Sequence, residues 1–362
     1  MRPPVRAIAP PRIARGQTLG ICAPAGPLSR PDRLHSGLAR LGDAFRIRLA
    51  PSLTSPRAAD VPSYLQASDD ARAAELTAML ADPDVRAIIL ARGGYGLMRI
   101  LSRIDPELVR KDPKPIVGFS DATALLAWAY QAGVRGIHGP MIVQLDDLPD
   151  ADIAHLIALL TEPTAPGVRP WTLTAHGRGV YQGPLIAANL TVASMLVGTP
   201  WQLPLDGAIA LFEEVGEKPY ELDRYLTQLL LTGELAKPVA VLIGELTRCG
   251  DAPFDVREGH PSALLEDPRV LRIRGLVILR WLGERTHAHL VEHPCEIGPP
   301  VRDVPEDVLH GPALHVHARS LALLGREAID DVTELGPRVP LAQRQRILVH
   351  HPASIVTPRF AS

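Results

Sequence analysis

Cysteine is nearly absent. The 362-residue chain has three, Cys22, Cys249 and Cys295, far apart and odd in number. Without a C-x-x-C pair the spacing excludes a cysteine zinc site and argues against a disulfide framework. Excess charge is missing as well. The formal net charge is -2, so nothing points to nucleic acid or another polyanion as a partner. No apolar run is long enough for a transmembrane span. The N-terminus, MRPPVRAIAPPRIARGQTLG, is basic but lacks an apolar h-region, and its prolines would break a signal helix. A cytoplasmic protein with no membrane association is therefore expected. Aromatic residues are scarce at 4%, whereas prolines number 36. The core must then be built from Ala, Leu, Val and Ile, with stiff loops around it. Apolar residues at 46% and charged residues at 22% give a globular composition, in a chain long enough for two domains.

What is present in the first half is alternation of strand and helix signals. TLGICAPAG (18–26), AIIL (87–90) and PIVGF (115–119) read as buried strands. Helical spacing runs over 33–41, over 69–80 after Ser68, and over 121–133, with a short helix or turn at 106–111. Short apolar strands separated by helices predict a parallel sheet covered on both faces, an α/β fold. The pattern weakens near Asp150, and 162–178 reads as a linker between an N-terminal domain (1–161) and a C-terminal one (179–330). In the latter, AIALFEEV, VAVLIGEL and GLVILRWL look like strands, with a strong helix over 220–231. That implies an α+β domain with a curved sheet. Residues 331–362 carry few core signals and read as a peripheral tail.

Two turns carry the chemistry. In GFSDA, a strand runs straight into a helix with Ser120 as the hinge, and Gly118 and Ala122 are the small neighbours that a nucleophile elbow requires. Its hydroxyl would stand at the carboxyl end of the sheet, and the N–H of Asp121 at the helix start would face a developing oxyanion. The plainer reading is that Ser120 and Asp121 only cap the helix. The second turn is RGGYG (92–96), with three glycines directly after a buried strand. It is either a sharp turn or a backbone that must approach something closely. If both turns lie along one sheet edge, a glycine N–H of the first would reach an oxyanion bound over the second.

Several segments taken together resemble the LD-carboxypeptidase family, the serine peptidases that include the microcin C immunity hydrolases. They are ICAPAGP, YLQASDDARAAELTAMLADPDVRAIILARGGYGLMRIL, GFSDATALL, HGPM, NLTVASMLVGTP and LFEEVGEKPYELDRYLTQLL, in the family's order. The resemblance implies a flavodoxin-like parallel sheet followed by a domain with a mixed sheet, and a Ser-His-Glu triad without cofactor or metal. It assigns the nucleophile to Ser120 and the glutamate to Glu213, with Glu214 in place of the usual aspartate. The oxyanion donors become the N–H groups of Asp121 and Gly94. Arg92, Tyr95 and Asn189 are the candidates for contact with substrate; Arg92 or Arg224 would pair with its carboxylate, and each serves equally well as a structural ion-pair partner. The implied substrate is a small peptide, a murein tetrapeptide that loses its terminal D-alanine. Family members are often dimers, which makes a homodimer a candidate assembly.

The histidine departs from the family's Gly-His pattern. Thr286-His287 stands where Gly-His is expected, and Glu296-Ile297-Gly298 replaces Pro-x-Gly. His287 fits best as the base, followed by His289 and His293. His287-x-His289 and His315-x-His317 would suit a metal by alternation, but neither has a third ligand nearby. His138 in HGPM reads as a structural or pocket-wall residue. Ala187-Ala188 replaces the usual Gly-Gly before Asn189, and the two added methyls would either narrow a substrate channel or change a close backbone approach. Two alternatives follow: hydrolysis of a peptidyl-nucleotide or another acyl-amide, favoured by a stacking Trp201 or Trp281, or a non-catalytic binding protein with a broken triad.

Overall fold

The apolar runs of the N-terminal half become the strands of one sheet. The structure is a computed structural model that describes residues 7–162, 172–175, 181–250, 270–274, 279–280, 287–291 and 346–350. Chain order begins β1 (Thr18–Cys22), α1 (Pro31–Arg40), β2 (Arg46–Leu49), α2 (Asp69–Ala81), β3 (Val85–Leu90) and α3 (Leu97–Ile100). It continues with α4 (Glu107–Lys111), β4 (Ile116–Gly118), α5 (Ala122–Gln131), β5 (Ile137–His138) and α6 (Asp150–Thr161). Strands β2-β1-β3-β4-β5 pair in parallel in that order, which is the flavodoxin-like winding. Alternate residues serve the two faces. Leu19, Ile21, Ala87, Ile89 and Val117 pack on one side, and Ile88, Leu90 and Ile116 on the other.

The second group of elements is β6 (Thr172–Ala175), β7 (Leu185–Asn189), α7 (Leu190–Leu196), β8 (Ile209–Val215), α8 (Pro219–Leu231), β9 (Ala240–Thr247) and β10 (Val270–Arg274). Their sheet runs β6-β10-β9-β8-β7, parallel except for antiparallel β6. It is the mixed sheet expected. The short β11 (Leu279–Arg280) returns to the first sheet, antiparallel to β5. Strands β12 (His287–Val291) and β13 (Arg346–His350) pair with each other.

Helix α5 joins the two sheets. All its residues from Ala122 to Tyr130 are buried, as a helix apolar on every side must be. One core runs from Ile88, Leu90 and Ile116 through Leu125 and Trp128 to Ile186, Ala188, Ala210 and Phe212 of the second sheet. Each large side chain buried there contributes about 1.5–3 kcal/mol. The Asn189 N–H donates to the Thr123 hydroxyl at 3.0 Å and ties β7 to the same helix.

Several elements escape the pattern reading. β5 is two residues long, below any detectable period. β2 has the sequence RIRL, with only Ile47 and Leu49 apolar. α6 was not read as a helix, although Ile153, Leu156, Leu159 and Leu160 form its buried stripe; it falls where the pattern weakens, before a proline-rich stretch. Strand β6 lies inside the segment read as a linker, and β13 inside the segment read as a tail.

Candidate active site

Ser120 sits between β4 and α5 with φ +59°, a left-handed conformation. Such a backbone costs about 1–3 kcal/mol at a non-glycine residue. Contacts around the turn hold it there. The N–H of Ala122 donates to Phe119 O, and that of Thr123 to Ser120 O, at 3.1 and 3.0 Å. A methyl at Gly118 would lie 2.7 Å from the Ala122 Cβ. The turn therefore closes only with small residues on both sides of the serine, and G-x-S-x-A satisfies this.

RGGYG faces that elbow, and each glycine has its own reason. A methyl on Gly93 would lie 3.0 Å from both the Cβ and Oγ of Ser120. Gly94 has φ +115°, and a methyl there would lie 2.8 Å from the Cα of Gly26 in the loop after β1. Gly26 N–H donates to Gly93 O at 3.0 Å. This contact lies where β1 and β3 diverge, the switch point at which sheets of this winding bind ligands. Gly96, at φ +127°, leaves room for the Arg72 guanidinium, 2.8 Å from where its methyl would be.

A cavity of about 350 Å3 opens over these turns, lined by Leu28, Arg30, Arg33, Arg92, Gly93, Gly94, Phe119, Ser120, Met141 and Val215, among others. Arg30 pairs with Asp32, and Arg33 with Asp146 and Asp147. Arg92 instead donates to Pro27 O at 2.6 Å and has no carboxylate partner among the described residues. Partial burial lowers its pKa. Tyr95 stands outside the cavity lining, half exposed and edge-on to Tyr64 with ring centroids 5.8 Å apart.

The Asp121 side chain does something the sequence reading missed. It is buried, and its carboxylate accepts from the N–H of Leu97 at 2.9 Å, tying the elbow to the end of RGGYG. Burial raises its pKa to about 6, against the pull of the Leu97 N–H and Arg72.

Glu213 and Glu214 end up on different sides of β8. Glu214 is fully satisfied: it accepts from Asn189 Nδ2 at 2.8 Å, from the N–H and Oγ1 of Thr191 at 2.9 and 2.7 Å, and from Val215 N at 2.8 Å. Glu213 Oε1 lies 3.7 Å from His138 Nε2 at the end of β5, beside the elbow strand. Neither Glu213 Oε1 nor His138 Nδ1 has a hydrogen-bond partner among the described residues. Burial and the neighbouring Glu214 push Glu213 up to about 8, and burial pushes His138 down to about 4. Both shifts favour the uncharged form, so burial works against an ion pair at this contact.

Three residues or pairs singled out in the sequence have other surroundings than the cavity. The Asn189 amide is engaged within the protein: its Oδ1 accepts from Val192 N at 3.1 Å, capping α7, and its Nδ2 donates to Glu214 at 2.8 Å. Ala187 and Ala188 are fully buried in β7 and line no part of the cavity, so their methyls narrow no channel there. Trp201 packs against the main core and is no stacking platform at the cavity. His287 and His289 belong to β12 by backbone pairing alone, whereas Trp281, His293, His315 and His317 lie outside the described residues. Among the described residues no group of His, Cys, Asp and Glu is arranged to hold a metal, and no helix is long and apolar enough to cross a membrane.

An elbow serine facing a glycine turn at the mouth of a flavodoxin-like sheet is the arrangement of a hydrolase acting through a serine nucleophile. Residues 19–139 match the LD-carboxypeptidase N-terminal domain, and residues 182–271 match the LD-carboxypeptidase C-terminal domain. A Streptomyces coelicolor protein with a carboxypeptidase name is 36% identical over 249 residues, covering 67% of this chain and 79% of that protein. The murein tetrapeptide carboxypeptidase of Pseudomonas aeruginosa is 32% identical over 201 residues, covering 51% of this chain and 64% of that one. The crystal structure of an MccF-like protein from Bacillus anthracis superposes with a TM-score of 0.68 at 20% identity, over 79% of this chain and 96% of that one. The chain belongs to the LD-carboxypeptidase family of serine peptidases.

Proposed function

We propose that the protein is a serine carboxypeptidase that removes the terminal D-alanine from murein tetrapeptide in the cytoplasm. The observation that carries this reading is the strained Ser120 elbow, whose side chain meets the Gly93 backbone at the floor of a cavity that also holds Arg92. Ser120 Oγ attacks the carbonyl of an amide next to a free carboxylate. Its proton passes to His287 and from there to the leaving amine. The N–H groups of Gly94 and Asp121 receive the oxyanion. Glu213 orients the base and stabilises its cation, a task that needs the ionised carboxylate. An imidazolium beside Glu213 would supply the opposite charge that burial makes it lack.

Arg92 is the anchor for the substrate carboxylate. A half-buried guanidinium held, among the described residues, by one carbonyl gains most from a bidentate anion, whereas Arg30 and Arg33 already have theirs. The name of the Pseudomonas relative supports the choice of substrate. Ser120→Ala should abolish D-alanine release from murein tetrapeptide, measured by coupled assay. Unchanged turnover would sink the mechanism.

A further inference from the structure

Arg72 is a fully buried cation, on the second turn of α2, and it belongs to no part of the chemistry above. A buried charge is expensive unless its donors are all used. Its Nε donates to Ala67 O at 3.2 Å, its Nη2 pairs with Asp69, and its Nη1 donates to Pro24 O and, at 3.1 Å, to Gly96 O. Pro24 lies in the loop after β1 and Gly96 closes RGGYG. Both loops that meet at the switch point therefore hang on one guanidinium.

The Gly96 carbonyl and the Leu97 N–H belong to the same peptide unit. The carbonyl points at Arg72 and the N–H points at the Asp121 carboxylate, 2.9 Å away. This peptide dipole is thus held between a buried cation and a buried anion. Flipping the plane would aim the carbonyl at the carboxylate and the N–H at the guanidinium, so both charges would oppose it. Asp121 is also the residue directly after Ser120. One side chain thereby connects the elbow to the turn that faces it.

We propose that Arg72 and Asp121 are positioning residues that lock the Gly96–Leu97 peptide and so hold the RGGYG turn in register with Ser120. The inference rests on the reading of Ser120 as nucleophile and Gly94 as oxyanion donor. A turn displaced by about 1 Å loses about 10²-fold in rate. The loss falls on kcat, because the oxyanion exists only after attack.

The test compares Arg72→Met, Arg72→Lys and Asp121→Asn in the full chain, by kcat and KM on murein tetrapeptide and by amide hydrogen exchange over 92–97. Arg72→Met should lower kcat about 10²-fold with KM within about threefold. Arg72→Lys should recover part of it, because its ammonium can still reach a carbonyl. Exchange should accelerate in the turn while α5 stays protected. Wild-type kcat and exchange in a folded Arg72→Met overturn the proposal. If Arg72→Met does not fold, Asp121→Asn decides. It keeps the shape and one acceptor but not the charge, so about a 10-fold loss and faster turn exchange are expected. Unchanged kcat and exchange there overturn the proposal equally. Exchange is read without substrate, and so separates failure of this lock from failure of the Ser120 mechanism.

Discussion

Gly93→Ala tests the seam between the glycine turn and the nucleophile with little interference from folding. The new methyl would stand 3.0 Å from the Cβ and Oγ of Ser120 and 3.3 Å from Cε of Met141. Gly93 does not have a left-handed φ, so alanine brings no backbone strain. The atoms it crowds are a hydroxymethyl group and the far end of a methionine, which can shift by a few tenths of an ångström. Overpacking then costs about 1 kcal/mol, the low end for such insertions, and Tm should fall by about 2–4 °C. The effect on rate should be far larger. A reacting carbonyl carbon must come within about 3–3.5 Å of Oγ, and the methyl would fill that approach. kcat/KM for D-alanine release should drop about 10²-fold, and labelling of Ser120 by a fluorophosphonate should slow in parallel. Wild-type rates for both, with the methyl in place and the fold intact, would refute the placement of the reaction between these two turns.

Gly118→Ala should open the elbow and lower both Tm and activity, since its methyl would lie 2.7 Å from the Ala122 Cβ. Adding Ala122→Gly should restore much of both, and a cycle showing simple additivity would contradict the closure argument. Arg92→Met should raise KM about 10- to 100-fold for a substrate with a free terminal carboxylate. It should have little effect on a C-terminally amidated ligand in a binding assay; equal losses for the two would remove Arg92 as the anchor. Glu213 has its pKa raised from 4.5 to about 8, so its protonated form favours the folded state. That stabilisation is complete below about pH 4.5 and is lost as pH climbs through about 8. Glu213→Gln should therefore gain in Tm relative to wild type between pH 5 and pH 9, and a constant difference across that range would contradict a carboxyl held above its usual range by burial.

Much of the site was legible because its turns are local. GFSDA carries its strand, hinge and helix within a few residues, and the small neighbours at Gly118 and Ala122 are the ones its closure needs. RGGYG announced a close approach but not its targets. Those are the Ser120 side chain for Gly93, the Gly26 backbone for Gly94 and Arg72 for Gly96. Asn189 illustrates the opposite case. A polar residue at a strand end looks available in sequence, and only the fold reveals that α7 and Glu214 engage its amide.

By itself the sequence determined the alternation of strand and helix, the parallel sheet that follows from it, and the elbow serine. Periodicity and turn chemistry are properties of neighbouring residues, and hydrophobic burial enforces them wherever the chain goes. The tertiary structure alone decided which groups meet across 24 residues or more. It set Glu213 against His138, hung two loops on Arg72, and gave the Asp121 carboxylate the Leu97 N–H to accept. Those contacts depend on how strands β1, β3, β4 and β5 order themselves side by side, which is settled by packing against α5 and the second sheet. No local pattern in the chain encodes that order.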